Sequence, residues 1–582
     1  MSTLRTSALC LLLAGLAGCA TTSGDAPVTQ RVTQRNTTHG PVLGIDDAQA
    51  TGTYQWKGLP FAAPPVGERR WRAPADPGAW RTVRSAQAFA PACVQTGRLY
   101  GPGLNNRYDA TIGSTLGQTL GSEDCLYLNI WQPAAASSRP RPVIVWVHGG
   151  SNITGYAADP VYDGAALART ADAVVVSVQY RLGIFGFLDL DALKTGQPDE
   201  DSGNFALLDI VKALGYVQAN IAQFGGDPAQ VTLMGESAGA VNVYALLASP
   251  MLAQRQPQLF HRVIALSGGI SSAATLPPGS IAGVLPRSVW RQRGQGLLEH
   301  SLIAEGSAKD EAAAKATVAS RQPQDLAKYL RTRSADELLT TVQKRLVPAR
   351  LAGSNPIPDG HVVAADPIAA IRAGRYVKGP VLAGNTRDET KLFPTLLAIR
   401  PSLGGVSGRL IDDAAVFRIA HTYDPEAAPT TRVEDWIPKS LLPTDAPGTG
   451  FDARSRELDR IWFGAIRDDV LGALRSQQPQ VWHYRFDWDE LPAPFDQIFG
   501  AAHAFDLPFV FGNFGPSLFA NISYTRANRP GREALSMAMM KSLGAFAHHG
   551  DPNHPGLGTT WPQWPASLVF DADRQRTRIG VK

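Results

Sequence analysis

Val231-Thr232-Leu233-Met234-Gly235-Glu236-Ser237-Ala238-Gly239-Ala240 decides the reading of this chain. A β-branched and apolar run enters Gly-x-Ser-x-Gly, and a helical pattern leaves it. A serine on so abrupt a strand-to-helix turn sits in a strained backbone conformation with its hydroxyl exposed. The flanking glycines leave room for the turn and for close helix packing. The helix N-terminus then lies beneath any negative charge that develops there. Ser237 is predicted to be a nucleophile, and the backbone N–H of Ala238 one oxyanion donor. The pentapeptide alone is a weak signal, because glycine and serine are common; the strand and helix around it give it weight.

Similar apolar runs lie on both sides of this segment. They are Val143–Val147, Ala173–Val178, Val263–Leu266, Pro380–Ala383 and Val481–Phe486. Continuous apolar strands separated by amphipathic stretches imply a largely parallel sheet covered on both faces. Residues 204–223 read as a helix with Leu207, Leu208, Val211, Leu214, Val217 and Ile221 on one stripe. Residues 300–345 read as helical, with a capping box at Ser334–Glu337. The stretch 270–375 is expected to form a helical excursion over the sheet, and no linker divides the chain.

His148-Gly149-Gly150-Ser151 follows the Val143–Val147 run and resembles the His-Gly-Gly-Gly oxyanion loop of esterases. Gly150 and Ser151 are the further oxyanion donors predicted there; His148 is expected to be structural, since such a loop works through its backbone. Two motifs extend the likeness: Glu123-Asp124-Cys125-Leu126-Tyr127-Leu128-Asn129-Ile130-Trp131, and Phe224-Gly225-Gly226-Asp227-Pro228 ahead of the serine motif. Lys57–Ala62, Tyr180–Gly183 and Gly550–Asn553 add to it. From about residue 38 to near the C-terminus the chain resembles the type-B carboxylesterase family, which includes the cholinesterases. The resemblance implies an α/β-hydrolase fold, a site at the bottom of a deep gorge, and a Cys93–Cys125 disulfide.

In that fold the order is Ser, then Asp or Glu, then His. The family's Asp-Glu-Gly segment maps onto Asp388-Glu389-Thr390, which makes Glu389 the implied triad acid and Asp388 the alternative. Thr390 stands where the family has Gly. The family's catalytic histidine occupies the loop matched by Gly500–Asp506, which makes His503 the general base. His421 carries no motif, His483 falls within a strand pattern, and His548, His549 and His554 read as solvated surface. The implied chemistry is hydrolysis of small to medium carboxylic esters through an acyl-enzyme; amides, thioesters, toxin or phenolic esters and a non-catalytic binding role are the alternatives. A neutral imidazole is needed as base, so acylation is expected to rise with pH through about 6.5–7. Glu236 and Ser267 resemble a supporting polar network, or are a merely structural pair. Asn152 replaces an aromatic of the family and is expected to make the pocket wall more polar. The residues that choose the substrate are expected to be scattered over 270–400.

The remaining sequence bounds location and partners. The 582 residues are 44% hydrophobic and 18% charged, with a formal net charge of +4. So small a charge over this length gives no reason to expect a nucleic-acid partner. No metal- or dinucleotide-binding motif occurs, and no cofactor is expected. Residues 1–18 read as an export signal: Arg5, then an apolar run Ala8–Leu16 too short to span a bilayer. Leu16-Ala17-Gly18-Cys19 looks like a bacterial lipobox, with Cys19 the lipidated residue, and an ordinary signal peptide is the alternative. Residues 19–37 suit a flexible tether, and 38–582 the catalytic domain. With Cys10 inside the signal, Cys93 and Cys125 remain; in an exported chain they should pair, the alternative being two buried thiols. Ala20 is not the Asp that favours inner-membrane retention, so an outer-membrane or cell-surface location is expected.

Overall fold

The apolar runs assemble into one eleven-stranded sheet in the computed structural model, which describes residues 32–582. In chain order the strands are β1 (Ile45–Asp47), β2 (Thr53–Pro60), β3 (Tyr127–Pro133), β4 (Arg141–Val147), β5 (Val174–Val178), β6 (Gly226–Glu236), β7 (Arg262–Leu266), β8 (Val381–Thr386), β9 (Val481–Phe486), β10 (Leu568–Phe570) and β11 (Gly580–Val581). They lie across the sheet as β11-β10-β9-β8-β7-β6-β4-β5-β3-β2-β1. From β5 to β10 every pairing is parallel; the pairings outside that block are antiparallel. Every residue of β4 and β5 is buried. A strand covered on both faces has no solvent side to mark with polar residues, which is why these runs do not alternate.

Helix α1 (Phe205–Asn220) continues as a 3₁₀ turn over Ile221–Phe224. It buries Leu207, Leu214, Val217 and Ile221 in the same core as Val143, Val145, Val231 and Leu233. By length and composition alone the Phe205–Phe224 segment is apolar enough to cross a membrane; here it is a core helix. Helix α2 (Ala238–Leu247) leaves the end of β6. The opposite sheet face presents Ile144, Trp146, Met234 and Ile264 to a second core with Leu535, Met539, Leu543 and Phe546 of the long helix Arg529–His549.

Four helices, Arg287–Ala304, Glu311–Ser320, Pro323–Thr332 and Ala335–Thr341, form the stretch expected to be helical, and Ser334 closes a capping box with Glu337. Leu297, Leu298, Leu326, Leu330 and Leu338 pack with Trp71, Phe185, Leu188 and Phe205. This is a separate apolar cluster on the flank.

The segment Gln34–Thr37 departs from the flexible tether expected up to residue 37. It pairs antiparallel with Gly40–Leu43, and the Trp56 indole donates to the Thr33 carbonyl at 2.7 Å. Arg35 lies over the Trp56 ring, 4.8 Å from its centroid. These contacts tie it to the domain. The expected export signal, Cys10, Cys19 and the rest of the tether lie outside the described residues. Cys93 and Cys125 are joined by a disulfide, which closes the loop 94–124 against the sheet.

Candidate active site

Ser237 follows the last residue of β6 with φ 53° and ψ −123°. A left-handed φ on a residue with a Cβ costs roughly 1–3 kcal/mol and persists only where the surroundings enforce it. Here they do. The Ser237 N–H donates to the Leu266 carbonyl at 2.8 Å, and the Val241 N–H returns to the Ser237 carbonyl at 3.0 Å. Gly235 and Gly239 serve close approach. A Cβ on Gly235 would fall 2.6 Å from the Gly239 backbone, and one on Gly239 would overlap the Val147 carbonyl oxygen.

The loop leaving β4 meets the elbow from the other side. Gly150, Ser151 and Asn152 take φ values of 99°, 55° and 57° in succession. The backbone N–H groups of Gly150, Ser151 and Ala238 donate to no protein acceptor among the described residues. Asn152 does not line the cavity, contrary to expectation. It is fully buried and exchanges amide hydrogen bonds with Asn242 of α2, at 2.8 and 3.3 Å. Its third contact is Asn355, at 3.4 Å. These contacts fasten the loop to α2, the helix that follows Ser237. His148 is structural in its setting: its ring stacks on Tyr180 at 4.6 Å, and burial lowers it to about 4.

His503 lies on the loop after β9. Its Nδ1 is 2.6 Å from Glu389 Oε2. The other oxygen of Glu389 accepts from Ser267 Oγ at 2.7 Å, Asn385 Nδ2 at 2.9 Å and the Thr386 N–H at 2.9 Å. This explains why β8 runs past Ala383 into Asn385-Thr386: its polar end carries the donors for the carboxylate. Asp388, the alternative acid, is engaged elsewhere. It accepts from Arg387 at 2.7 Å and from the Ala501 N–H at 3.0 Å, tying the acid turn to the histidine loop. Thr390 fits without a glycine: its N–H donates to Asp459 and its hydroxyl to the Ser455 carbonyl. Ser267 and Glu236 belong to one network without touching. Ser267 supports Glu389, while Glu236 Oε1 lies 2.9 Å from His503 Nε2. The contact is at ion-pair distance but lacks the geometry of a hydrogen bond.

The electrostatics follow from burial. Desolvation alone would lower the His503 imidazole, but Glu236 and Glu389 at its two edges outweigh it and hold it above its ordinary value. Burial raises the Glu236 carboxyl against the pull of His503. Burial would also raise Glu389, yet His503, Ser267 and Asn385 keep it below the ordinary carboxylate range. Both carboxylates favour the imidazolium, so the neutral ring is favoured only at higher pH than for an isolated imidazole. Two further buried carboxylates surround the group. Asp459 is pushed up to about 8 by burial and then by Glu389, and Asp506, bonded to Tyr484, is pushed up to about 7 by burial. No sequence pattern marks either. Nor does any mark Phe393 and Phe463, whose rings lie 5.0 and 5.2 Å from the His503 ring.

Ser237, His503 and Glu236 open into one cavity of about 400 Å³. Its walls include Gly149, Gly150, Ser151, Leu99, Tyr100, Phe393, Arg98 and Arg409. Of the 270–400 stretch expected to build the pocket, only Leu392, Phe393 and Thr395 take part. The helical excursion is spent on the flank cluster described above. Among the described residues no group of three or more His, Cys, Asp and Glu is placed to hold a metal ion.

The model of the carboxylesterase family matches residues 31–579. The chain belongs to the carboxylesterase family. It is a carboxylic-ester hydrolase of the serine carboxylesterase type, with the α/β-hydrolase fold. Among its relatives are a fumonisin B1 esterase of Sphingopyxis macrogoltabida, 32% identical over 91% of this chain and 84% of that protein, and a para-nitrobenzyl esterase of Bacillus subtilis, 31% identical over 92% and 94%. A solved carboxylesterase of Geobacillus stearothermophilus superposes with a TM-score of 0.66 at 29% identity, covering 94% of this chain and 98% of that one. In this carboxylesterase, then, the turn at Ser237, the loop after β4 and the segment bearing His503 meet at one cavity.

Proposed function

We propose that this carboxylesterase hydrolyses small to medium esters with Ser237 as nucleophile, His503 as general base and Glu389 as the acid that orients it. One observation carries the reading. A buried carboxylate with three other donors holds His503 by Nδ1, while the ring lines the cavity that contains Ser237, its Nε2 2.9 Å from Glu236 Oε1. Nε2 takes the proton of Ser237 Oγ as the oxygen attacks the ester carbonyl carbon. The carbonyl oxygen becomes an oxyanion and receives the N–H groups of Gly150, Ser151 and Ala238. One such donor is worth about 2.7–4 kcal/mol in the transition state. Glu389 stabilises the imidazolium, which then protonates the departing alkoxide. Water, deprotonated by His503, attacks the acyl-serine; the acid leaves as the Ser237 Oγ–acyl bond breaks and the imidazolium returns its proton to Ser237 Oγ.

Labelling with an organophosphonate tests the assignment. Mass spectrometry should find the adduct on Ser237, and Ser237→Ala should abolish both labelling and hydrolysis while circular dichroism stays unchanged. An adduct on another residue, or an active Ser237→Ala, overturns it.

Location belongs to the same proposal. Leu16-Ala17-Gly18-Cys19 and the Thr- and Ser-rich stretch behind it support export, lipidation at Cys19 and tethering at the outer membrane or cell surface. Mass spectrometry of the mature N-terminus decides it: a diacylated Cys19 is the expected species, and an unmodified start beyond Cys19 rules the anchor out.

A further inference from the structure

We propose that Arg98, assisted by Arg409, forms a carboxylate-binding subsite inside the catalytic cavity, which makes esters bearing a second, free carboxylate the favoured substrates. The inference rests on the reading of Ser237 as nucleophile.

Both arginines line the cavity that holds Ser237. Arg98 is half-buried. Among the described residues its guanidinium has no acidic partner, whereas the more buried cations Arg70, Arg181 and Lys391 each have one. A guanidinium is a planar fork of donors that matches a carboxylate in two-point geometry. Arg409 is mostly buried and is paired through Nη2 at 2.9 Å with Asp413, which lines the same cavity; that pair is neutral as a unit, so Arg98 supplies the net positive charge at this end. Leu99, Tyr100, Leu392 and Phe393 line the same space, and such apolar walls strengthen a charge contact relative to open water.

The opposite charges set the direction. Glu236 lines the cavity beside His503, and Glu389 lies at the other edge of the ring. An anionic substrate group is repelled from that end. Its charge is tolerated only if it points toward the arginines while the ester carbonyl reaches Ser237.

Paired substrates test this. The monoethyl esters of succinic, glutaric and adipic acid are compared with ethyl butanoate, pentanoate and hexanoate, which match them in acyl length but lack the charge. On the alcohol side, 3-acetoxypropanoate is compared with propyl acetate. The readout is the ratio of kcat/KM, charged over neutral, within each pair. We expect wild type to favour the charged member of at least one pair. That ratio should fall about tenfold or more in Arg98→Gln, the loss of one charge-assisted contact. It should recover in part in Arg98→Lys and decline in wild type as salt is added. The Arg98 side chain makes no hydrogen bond among the described residues, so Arg98→Gln should fold; circular dichroism checks this. A preference for the neutral ester in every pair, or a ratio that Arg98→Gln leaves unchanged, overturns the subsite. If Ser237→Ala is inactive in that case, only the subsite falls. If Ser237→Ala hydrolyses either series, the nucleophile assignment itself has failed.

Discussion

The floor and the wall of the catalytic cavity are built on different principles. The floor consists of backbone: a serine at φ 53°, two glycines packed against backbone, and three consecutive left-handed residues, with the N–H groups of Gly150, Ser151 and Ala238 lacking an acceptor among the described residues. The wall consists of side chains brought from three distant stretches, near residues 98–100, 392–395 and 409–413. Backbone geometry of this severity admits few sequences, so it leaves a motif. A wall of side chains admits many, so it leaves none. Reaction type is therefore written locally, and substrate choice is not.

The sharpest way to break this contrast is at the acid. Glu389→Gln should lower kcat by about 10³–10⁴-fold, because the ring loses its tautomer and its counter-charge. Asp388→Asn, which touches only Arg387 and Ala501, should cost far less; the reverse order in steady-state kinetics would move the acid by one residue. Next comes the floor's tolerance. Gly239→Ala should lower stability by about 3 kcal/mol in urea melts, from a Cβ forced onto the Val147 carbonyl. Arg98→Gln on the wall should stay within about 0.5 kcal/mol of wild type. Equal costs would erase the distinction between floor and wall.

A subtler test concerns what fastens the floor. Asn242→Ala leaves the Asn152 amide without its main partner, at a cost of about 1–3 kcal/mol. If Asn152 positions the oxyanion loop, kcat should fall while KM changes little. The smallest effect is on pH. His503 must be neutral to act, and Glu236 is one of two carboxylates that favour its cation. Glu236→Gln should therefore move the rising limb of kcat/KM to lower pH; a limb that does not move would show that Glu236 is protonated throughout.

Much of the fold and part of the site could be read from sequence, for reasons visible in particular residues. β4, β5 and β6 sit in the parallel block at the middle of the sheet, so their apolar runs were plain. Ser237 stands at the end of β6, where the strand before it sets the turn, whereas Glu389 and His503 were legible only through the resemblance of their loops to the family's. Asn152 was misjudged because its direction depends on a φ of 57°, which composition does not encode. Asp459 and Asp506 were missed because ordinary aspartates become part of a buried cluster only through long-range packing. The pocket was sought in the wrong stretch because helicity alone does not say which face of a sheet an excursion will cover.

The disulfide acquires a wider meaning once its span is considered. Cys93 and Cys125 bracket the segment that carries Arg98, Leu99 and Tyr100. Its two ends are clamped covalently, and loop closure over 32 residues contributes about 3–4 kcal/mol on an entropic estimate. A loop secured at its base does not depend on its interior for attachment to the sheet. Within the span, Gln95 bonds Thr154 and Gly155 of the loop after β4, so Arg98 and its neighbours can be recharged while that hold on the loop is kept. The bond thus acts as a cartridge mount: selectivity can be swapped at one stretch of chain without retooling the machinery that breaks the ester.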